Sequence, residues 1–151
     1  MQPSILDRLI DLDPGVSREP VQYRQMSYNQ MKSAVARDLE NLLNTKCFSP
    51  EIPEGFKELS RSVFVYGLSD FTSKNPGSPS VRTELRQEIE KAVQIFEPRL
   101  HNVSVRIEET EENGRRLRFK ISALLLMDQE AEPVSFDTLL DINRGEYSVP
   151  K

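Results

Sequence analysis

The hydrophobic pattern of this chain changes its period once, near Pro98, and that change limits the fold more than any other feature. Before Pro98, apolar residues recur every three or four positions, as on one face of an α-helix. After Pro98, apolar and polar residues alternate, as in a strand with one wet face. Helices followed by strands predict an α+β fold, with N-terminal helices packed on one face of a mostly antiparallel C-terminal β-sheet.

The first long helix begins at a capping box, in which Ser27 and Gln30 each satisfy a backbone N–H of the other residue. Asn44-Thr45 is a suitable end for this helix. A solvated face is expected at Lys32, Arg37 and Glu40. The predicted buried stripe consists of Tyr28, Met31, Val35, Leu39 and Leu42.

The second long helix is predicted to begin at Ser78-Pro79, where a capping residue precedes a proline in the first turn. Pro98 ends it, because the residue before a proline avoids helical geometry. The predicted buried stripe consists of Val81, Leu85, Ile89, Ala92, Val93 and Phe96.

The last third of the chain predicts an antiparallel hairpin and two further strands. Asn113-Gly114 is a turn signal between the two hairpin strands. Further strands are expected at Val134–Ile142 and Glu146–Val149, joined by a tight turn at Asn143-Arg144-Gly145. The apolar positions that alternate along the hairpin are Val103, Val105, Ile107, Leu117, Phe119, Ile121, Ala123 and Leu125.

Two domain-level regions are predicted. Residues 1–25 form an N-terminal arm, with a short amphipathic helix from Ser4 and a linker rich in proline and charge after Asp13. Residues 26–151 form a single domain. Within it, Pro50 and Pro53 favour extended chain, and the apolar segment around Leu59–Tyr66 suits a short helix ended by Gly67 or, equally, a strand.

Composition excludes several functional classes. A single histidine and a single cysteine cannot supply the ligands of a structural zinc site, and no phosphate-binding glycine motif occurs, so we expect no metal or cofactor. The chain has 20 basic and 24 acidic residues, interspersed, which argues against a nucleic-acid binder. The longest apolar run, Ala123–Met127, is too short for a membrane span. One cysteine and no recognisable secretion signal favour a cytoplasmic location.

Enzymatic chemistry finds little support in the residues. A glycosidase needs two carboxyl groups about 5 to 10 Å apart, one of them in a tuned environment. The acids nearest apolar residues are Glu40, Asp70 and Glu97, and no tryptophan is present for sugar stacking. A Cys47–His101 dyad has no supporting spacing. The sequence therefore favours a non-enzymatic protein, with a hydrolase as the weaker alternative.

The short string Phe96-Glu97-Pro98-Arg99-Leu100 places two opposite charges on either side of a helix-ending proline. Taken alone, it predicts a helix end with solvated charges. The string becomes informative about function when it is taken together with three others, Ser33–Thr45, Ser62–Leu68 and Pro133–Thr138. Together the four resemble TssE, the family of type VI secretion baseplate subunits that is itself similar to phage baseplate wedge proteins once labelled lysozyme-like. The resemblance extends from about Ser4 to Val149.

The resemblance implies a structural baseplate protein that joins the wedge subunits TssF and TssG, and TssK through the wedge. It also implies contact with the sheath proteins TssB and TssC and a template role in sheath assembly. Glu97, Pro98 and Arg99 match the family's partner-binding motif, which grips the helical core bundle of the wedge. Arg99 is expected to donate paired hydrogen bonds to a carboxylate or to exposed helix carbonyls of the wedge partner. Glu97 is expected to orient Arg99 or to accept from the partner, and Pro98 to hold the corner rigid.

The resemblance does not specify which strand meets the sheath, and the chain departs from the family pattern at two places. The C-terminal sheet is expected to add a strand from the sheath, and Glu146–Val149 is favoured as its edge because it is last and short. The chain also departs from the family pattern at Thr45-Lys46-Cys47, where Thr-Arg-Arg is common, and at Tyr66–Asp70, which lacks a frequent proline. Lysine keeps the charge but not the bidentate geometry of arginine.

The alternatives to a type VI baseplate function are an adaptor of a phage-like contractile injection system or a cell-wall hydrolase.

Overall fold

The computed structural model describes Leu9, Gly15 and residues 27–47, 56–71, 74–75, 78–108, 116–127 and 130–150. Most of the predicted arm, the prolines at positions 50 and 53 and the Asn113-Gly114 turn lie outside these residues. The long helices are α1 (Tyr28–Asn44) and α2 (Pro79–Phe96), and two short 3₁₀ helices span Lys57–Arg61 and Val63–Val65. The strands are β1 (Leu100–Ile107), β2 (Arg116–Met127), β3 (Glu130–Asp141) and β4 (Glu146–Ser148).

The strands form one antiparallel sheet in the order β1-β2-β3-β4, which confirms the α+β prediction. Helix α2 packs against β1, and α1 contacts both α2 and β4. Alternation is regular along β2, where Leu117, Phe119, Ile121, Ala123 and Leu125 are all buried. The core therefore lies between this face of the sheet and the two helices.

Helix α1 begins as predicted. The Ser27 backbone N–H donates to Gln30 Oε1 at 2.9 Å, and the Gln30 N–H donates to Ser27 Oγ at 3.3 Å, which completes the capping box. The helix ends at Asn44, and Thr45 is extended. Met31, Val35, Leu39 and Leu42 are buried and Tyr28 packs against the core, so the 3.6-residue period correctly gave the inner face of this helix.

Helix α2 begins and ends where predicted, but its first turn differs in detail. Pro79 is the first helical residue, and the Ser78 hydroxyl does not cap the helix; it lies 2.8 Å from Ser80 Oγ. A second hydroxyl two residues away competes with the backbone amides for the same oxygen. Leu85, Ile89, Ala92 and Val93 are buried, whereas Val81 and Phe96 at the two ends are half-buried.

The apolar segment before Gly67 is helical rather than extended, and Tyr66 at its end packs against the core. Its two 3₁₀ helices leave Val63 88% exposed and Phe64 47% exposed. Ser62 divides the segment into two helices, and its hydroxyl accepts from the Phe64 N–H at the start of the second. Because each helix is short, neither can bury a continuous apolar face.

Gly67 allows the chain to return close to the end of α1. Its φ is +111°, and a Cβ on Gly67 would lie 2.2 Å from the Thr45 carbonyl oxygen. That oxygen accepts the Leu68 N–H at 2.9 Å, and the Leu68 carbonyl accepts the Cys47 N–H at 2.8 Å. Glycine is therefore required here for both its conformation and its size.

We expect Gly67→Ala to lower the free energy of unfolding by about 2 kcal/mol or more, because it adds backbone strain and a clash with main chain. Chemical denaturation measures the change. Gly145→Ala is the matched control, since Gly145 also has a positive φ, 65°, without such a contact. Equal losses in the two variants would mean that the approach to Thr45 does not matter.

Thr138 is a polar residue in an otherwise apolar row of β3. It is fully buried between Phe136 and Leu140, and its hydroxyl has no hydrogen-bond partner among the described residues. Burial of an unsatisfied hydroxyl costs free energy that a methyl group of the same shape does not.

We expect Thr138→Val to raise the free energy of unfolding by about 1 kcal/mol, because it removes the unsatisfied group and keeps the volume. Thermal and urea unfolding would measure the gain. Thr138→Ala controls for packing and should lower stability instead. A loss of stability in Thr138→Val would show that the hydroxyl has a partner.

Candidate functional site

The Glu97-Pro98-Arg99 corner joins the end of α2 to the start of β1. Glu97 is the C-cap residue, and its N–H still donates to the Val93 carbonyl at 2.9 Å. Its carbonyl accepts the Leu100 N–H at 3.0 Å, so the chain turns over Pro98 directly into the sheet. Pro98 itself is exposed. The proline prevents another helical turn and fixes the direction in which β1 leaves.

Glu97 and Arg99 form a bidentate ion pair within this corner. Arg99 Nε lies 2.6 Å from Glu97 Oε1, and Arg99 Nη2 lies 2.5 Å from Glu97 Oε2. Glu97 is only 4% exposed, and the Arg99 side chain is 16% exposed. Arg99 thus makes paired hydrogen bonds to Glu97 of its own chain, whereas the predicted acceptor was a wedge partner. Glu97 holds the guanidinium in place.

Asp38 on α1 is the third member of this cluster. Its Oδ2 accepts from Arg99 Nη2 at 2.6 Å, and its Oδ1 accepts from Arg37 at 2.9 Å and 3.1 Å. The cluster therefore ties α1 to the corner between α2 and β1. Sequence reasoning missed Asp38, although it lies seven residues after Met31 and four before Leu42, within the buried stripe of α1.

The negative charges of Glu97 and Asp38 raise the pKa values of Arg99 and Tyr66. Burial alone lowers the pKa of Arg99, but its hydrogen bonds to Glu97 and Asp38 and their negative charges outweigh burial and raise that pKa above the ordinary value. The pKa of Tyr66 is also raised, first by burial and then by the charges of Asp38 and Glu97. Arg99 therefore stays charged and Tyr66 neutral at physiological pH.

A groove of about 380 Å³ opens over this cluster. Its walls combine apolar and charged groups, and the Tyr66 and Phe96 rings meet edge to face with centroids 5.1 Å apart. Among the described residues, Arg99 Nη1 contacts only the weak acceptor Met31 Sδ, at 4.0 Å, so it is the least engaged guanidinium nitrogen. The lining residues are Met31, Asp38, Leu42, Tyr66, Phe96, Glu97, Pro98 and Arg99.

The structure does not assemble the other candidates into a site. Asp70 forms an exposed pair with Lys46 at 3.0 Å, so the lysine at the position of the family's arginine contacts a carboxylate of its own chain. His101 is exposed on β1, and no hydrogen bond joins it to Cys47 in the described part. No group of three or more metal-ligating side chains occurs among the described residues. In the same residues, no helix is long and apolar enough to cross a membrane.

Comparison with known proteins identifies the family. Residues 29–130, about two thirds of the chain, match the family model described as baseplate wedge protein gp25. The chain belongs to the gp25 baseplate wedge family. The matched region includes α2, β1, β2 and all of α1 except Tyr28, and so contains the whole charged cluster. Members of this family are structural baseplate proteins.

A solved structure shares the wedge-family fold. It is described as "The baseplate complex from the type VI secretion system", and the aligned chain is 18% identical with a TM-score of 0.54. The alignment covers 74% of this chain and 94% of that one. No curated protein matches. The relationship therefore rests on the family match, with the fold in agreement.

Proposed function

We propose that this protein is a non-enzymatic wedge subunit of a type VI secretion baseplate, equivalent to TssE. The observation that carries the proposal is the groove above the Glu97–Arg99–Asp38 cluster, in a chain of the wedge family whose fold matches a component of such a baseplate. Its partners in this role are TssF and TssG, with TssK held through them. The protein acts on the cytoplasmic side of the membrane.

The groove is suited to a helical segment of a wedge partner. Its aromatic wall from Tyr66 and Phe96 provides apolar contact, and Arg99 Nη1 provides a donor for a partner carboxylate or an exposed helix carbonyl. The Glu97–Arg99 pair is fixed before binding, so little side-chain entropy is lost on association. Pro98 at the rim keeps the corner rigid.

Co-expression with tagged TssF and TssG tests this proposal. The chain is expected to co-purify with them as a stable complex and to release no peptidoglycan in a hydrolase assay. Failure to co-purify, together with measurable cell-wall hydrolysis, would favour the hydrolase alternative instead. Co-purification only with the wedge proteins of a phage-like injection system would favour that assignment.

A second role, contact with the sheath proteins TssB and TssC, is favoured by the C-terminal sheet. β4 pairs with only the last three residues of β3, Leu139–Asp141, and leaves most of β3 without a neighbour on that side in the described part. An unpaired strand edge can accept an added strand through main-chain hydrogen bonds. We propose that the first sheath ring binds here and that sheath assembly begins from this contact.

A further inference from the structure

A cavity of about 40 Å³ lies at the other end of the two helices from the groove. Leu43 and Lys46, at the end of α1, form one wall, and Val81 and Leu85, at the start of α2, form another. Residues of β2, β3 and β4 complete the lining. At about 10 to 15 Å³ for each water-sized group, this volume accommodates one aliphatic side chain.

The mouth of this cavity is apolar and incompletely covered. Buried leucines of α2, β2 and β3 form its floor, and burial raises the pKa of Tyr147 in its wall. Phe71, Val81 and Ile142 also line the cavity but are only half-buried. A further apolar group placed over these three side chains would remove the rest of their surface from water.

The N-terminal arm carries an apolar face of the kind that could cover the mouth. Along Ser4–Asp13, Ile5, Leu6, Leu9 and Ile10 recur at helical spacing. Of this face the structure describes Leu9, which is 76% exposed. A helix of this length is marginal in water by itself, so its formation depends on packing of the apolar face against another surface.

The connection between the arm and α1 is long enough to reach the cavity. Residues 14–26 can span about 40 Å when extended. Helix α1, with 17 residues, is about 25 Å long, and the cavity lies at its far end. The arm can therefore return along α1 and place its apolar face over the mouth of the cavity in the same molecule.

The charges that line each concave surface favour the cavity over the groove as the place for the arm. Ser4–Asp13 contains three aspartates and one arginine, and is therefore acidic. The charged residues that line the groove are two acids and one base, whereas those that line the cavity are Lys46, Arg82 and Asp70. An acidic segment is attracted to the second set and repelled by the first.

We propose that this cavity is the docking site of the chain's own N-terminal arm. The apolar face of Ser4–Asp13 covers Phe71, Val81 and Ile142, and one aliphatic side chain of that face enters the cavity. The arm, rather than a wedge subunit, is then the segment nearest Phe71. Because the site lies at the other end of the helices from the groove, it does not depend on the proposed wedge role.

Paramagnetic broadening in NMR spectra of the whole isotope-labelled chain tests the position of the arm. Cys47 is the single cysteine and adjoins the cavity, since its N–H donates to the carbonyl of Leu68 in the lining. With a nitroxide on Cys47, we expect the amide signals of Leu9 and Ile10 to be at least fivefold weaker than with the reduced label. With Cys47→Ser and the nitroxide on Gln94→Cys, near the corner, these signals should keep their intensity. Equal broadening from position 94, or none from position 47, would overturn the proposal.

Substitutions in the arm and in the cavity make the test specific. Leu9→Asp should abolish the broadening from Cys47, whereas Arg8→Gln, an equal change of net charge outside the apolar face, should retain it. Val81→Phe partly fills the cavity and should also abolish the broadening. Gln87→Phe, exposed on the same helix and outside the cavity, should not. Thermal unfolding verifies that each variant is folded, and broadening that survives Leu9→Asp or Val81→Phe would contradict the assignment.

A mixed sample distinguishes the chain's own arm from that of a second copy. It contains isotope-labelled protein without nitroxide and unlabelled protein with nitroxide on Cys47. We expect the Leu9 and Ile10 signals to keep their intensity in the mixture, because each arm covers the cavity of its own molecule. Broadening in the mixture equal to that within one molecule would show exchange between copies and overturn the proposal.

Discussion

Replacement of Arg99 by alanine is expected to lower the free energy of unfolding by about 3–5 kcal/mol, the usual cost of removing one partner from a buried ion pair. The guanidinium satisfies both oxygens of Glu97 and one oxygen of Asp38. Without it, Glu97 would keep a buried negative charge with no counter-ion. Urea unfolding at neutral pH measures the loss. The stability of Arg99→Lys should lie between those of the wild type and Arg99→Ala, because lysine retains the charge but not the paired hydrogen bonds of a guanidinium.

The double variant Glu97→Leu with Arg99→Met separates a charge effect from a packing effect. Apolar residues of similar volume can replace a buried ion pair with little loss of stability. Asp38 would still be paired with Arg37 in this variant. We therefore expect most of the lost stability to return. A loss below about 1 kcal/mol in Arg99→Ala would contradict a structural role for the cluster.

Pro98→Asp is expected to weaken binding to TssF and TssG at least tenfold while leaving the isolated protein folded. Pro98 is exposed at the rim of the groove, so its replacement disturbs no buried contact. The new carboxylate would repel a partner acceptor at Arg99, and the corner would lose its rigidity. Titration calorimetry against the purified TssF–TssG complex measures the change, and thermal unfolding verifies the fold.

Gln94→Asp is the matched control for Pro98→Asp. Gln94 is exposed on α2 within one turn of the corner, does not line the groove and receives the same added charge. It should bind like the wild type. Equal weakening of binding in both variants would mean that net charge, and not the groove, determines the affinity.

The sequence predicted the parts of the fold that depend on local patterns. The capping box at Ser27 and Gln30, the end of α2 before Pro98 and the alternation along β2 all follow from short-range chemistry. Contacts between distant residues were not predictable in this way. Asp38 meets Arg99 across 61 positions of sequence, and Asn44 meets Tyr147 across 103.

The Glu97-Pro98-Arg99 corner also combines a local pattern that the sequence predicts with a long-range contact that it does not. The string alone predicted a helix end with solvated charges, and only the family resemblance implied a joint role for Glu97, Pro98 and Arg99. The structure brings Glu97 and Arg99 into one ion pair. The direction of the Arg99 guanidinium, toward Glu97 rather than toward solvent, depends on the burial of Glu97 at the end of α2. One signal was available: Asp38 is an acid within the apolar stripe of α1, and a buried acid needs a basic partner.

Site-specific photo-cross-linking tests most directly whether a wedge partner occupies the groove. Tyr66 lines the groove, and p-azidophenylalanine at this position keeps the ring; the control is the same replacement of Phe71, which lines a separate cavity. In the complex with TssF and TssG, irradiation should link the residue at position 66 to one of these subunits and leave the residue at position 71 unlinked. A complex that forms without any cross-link from position 66, or with links only from position 71, would contradict the account.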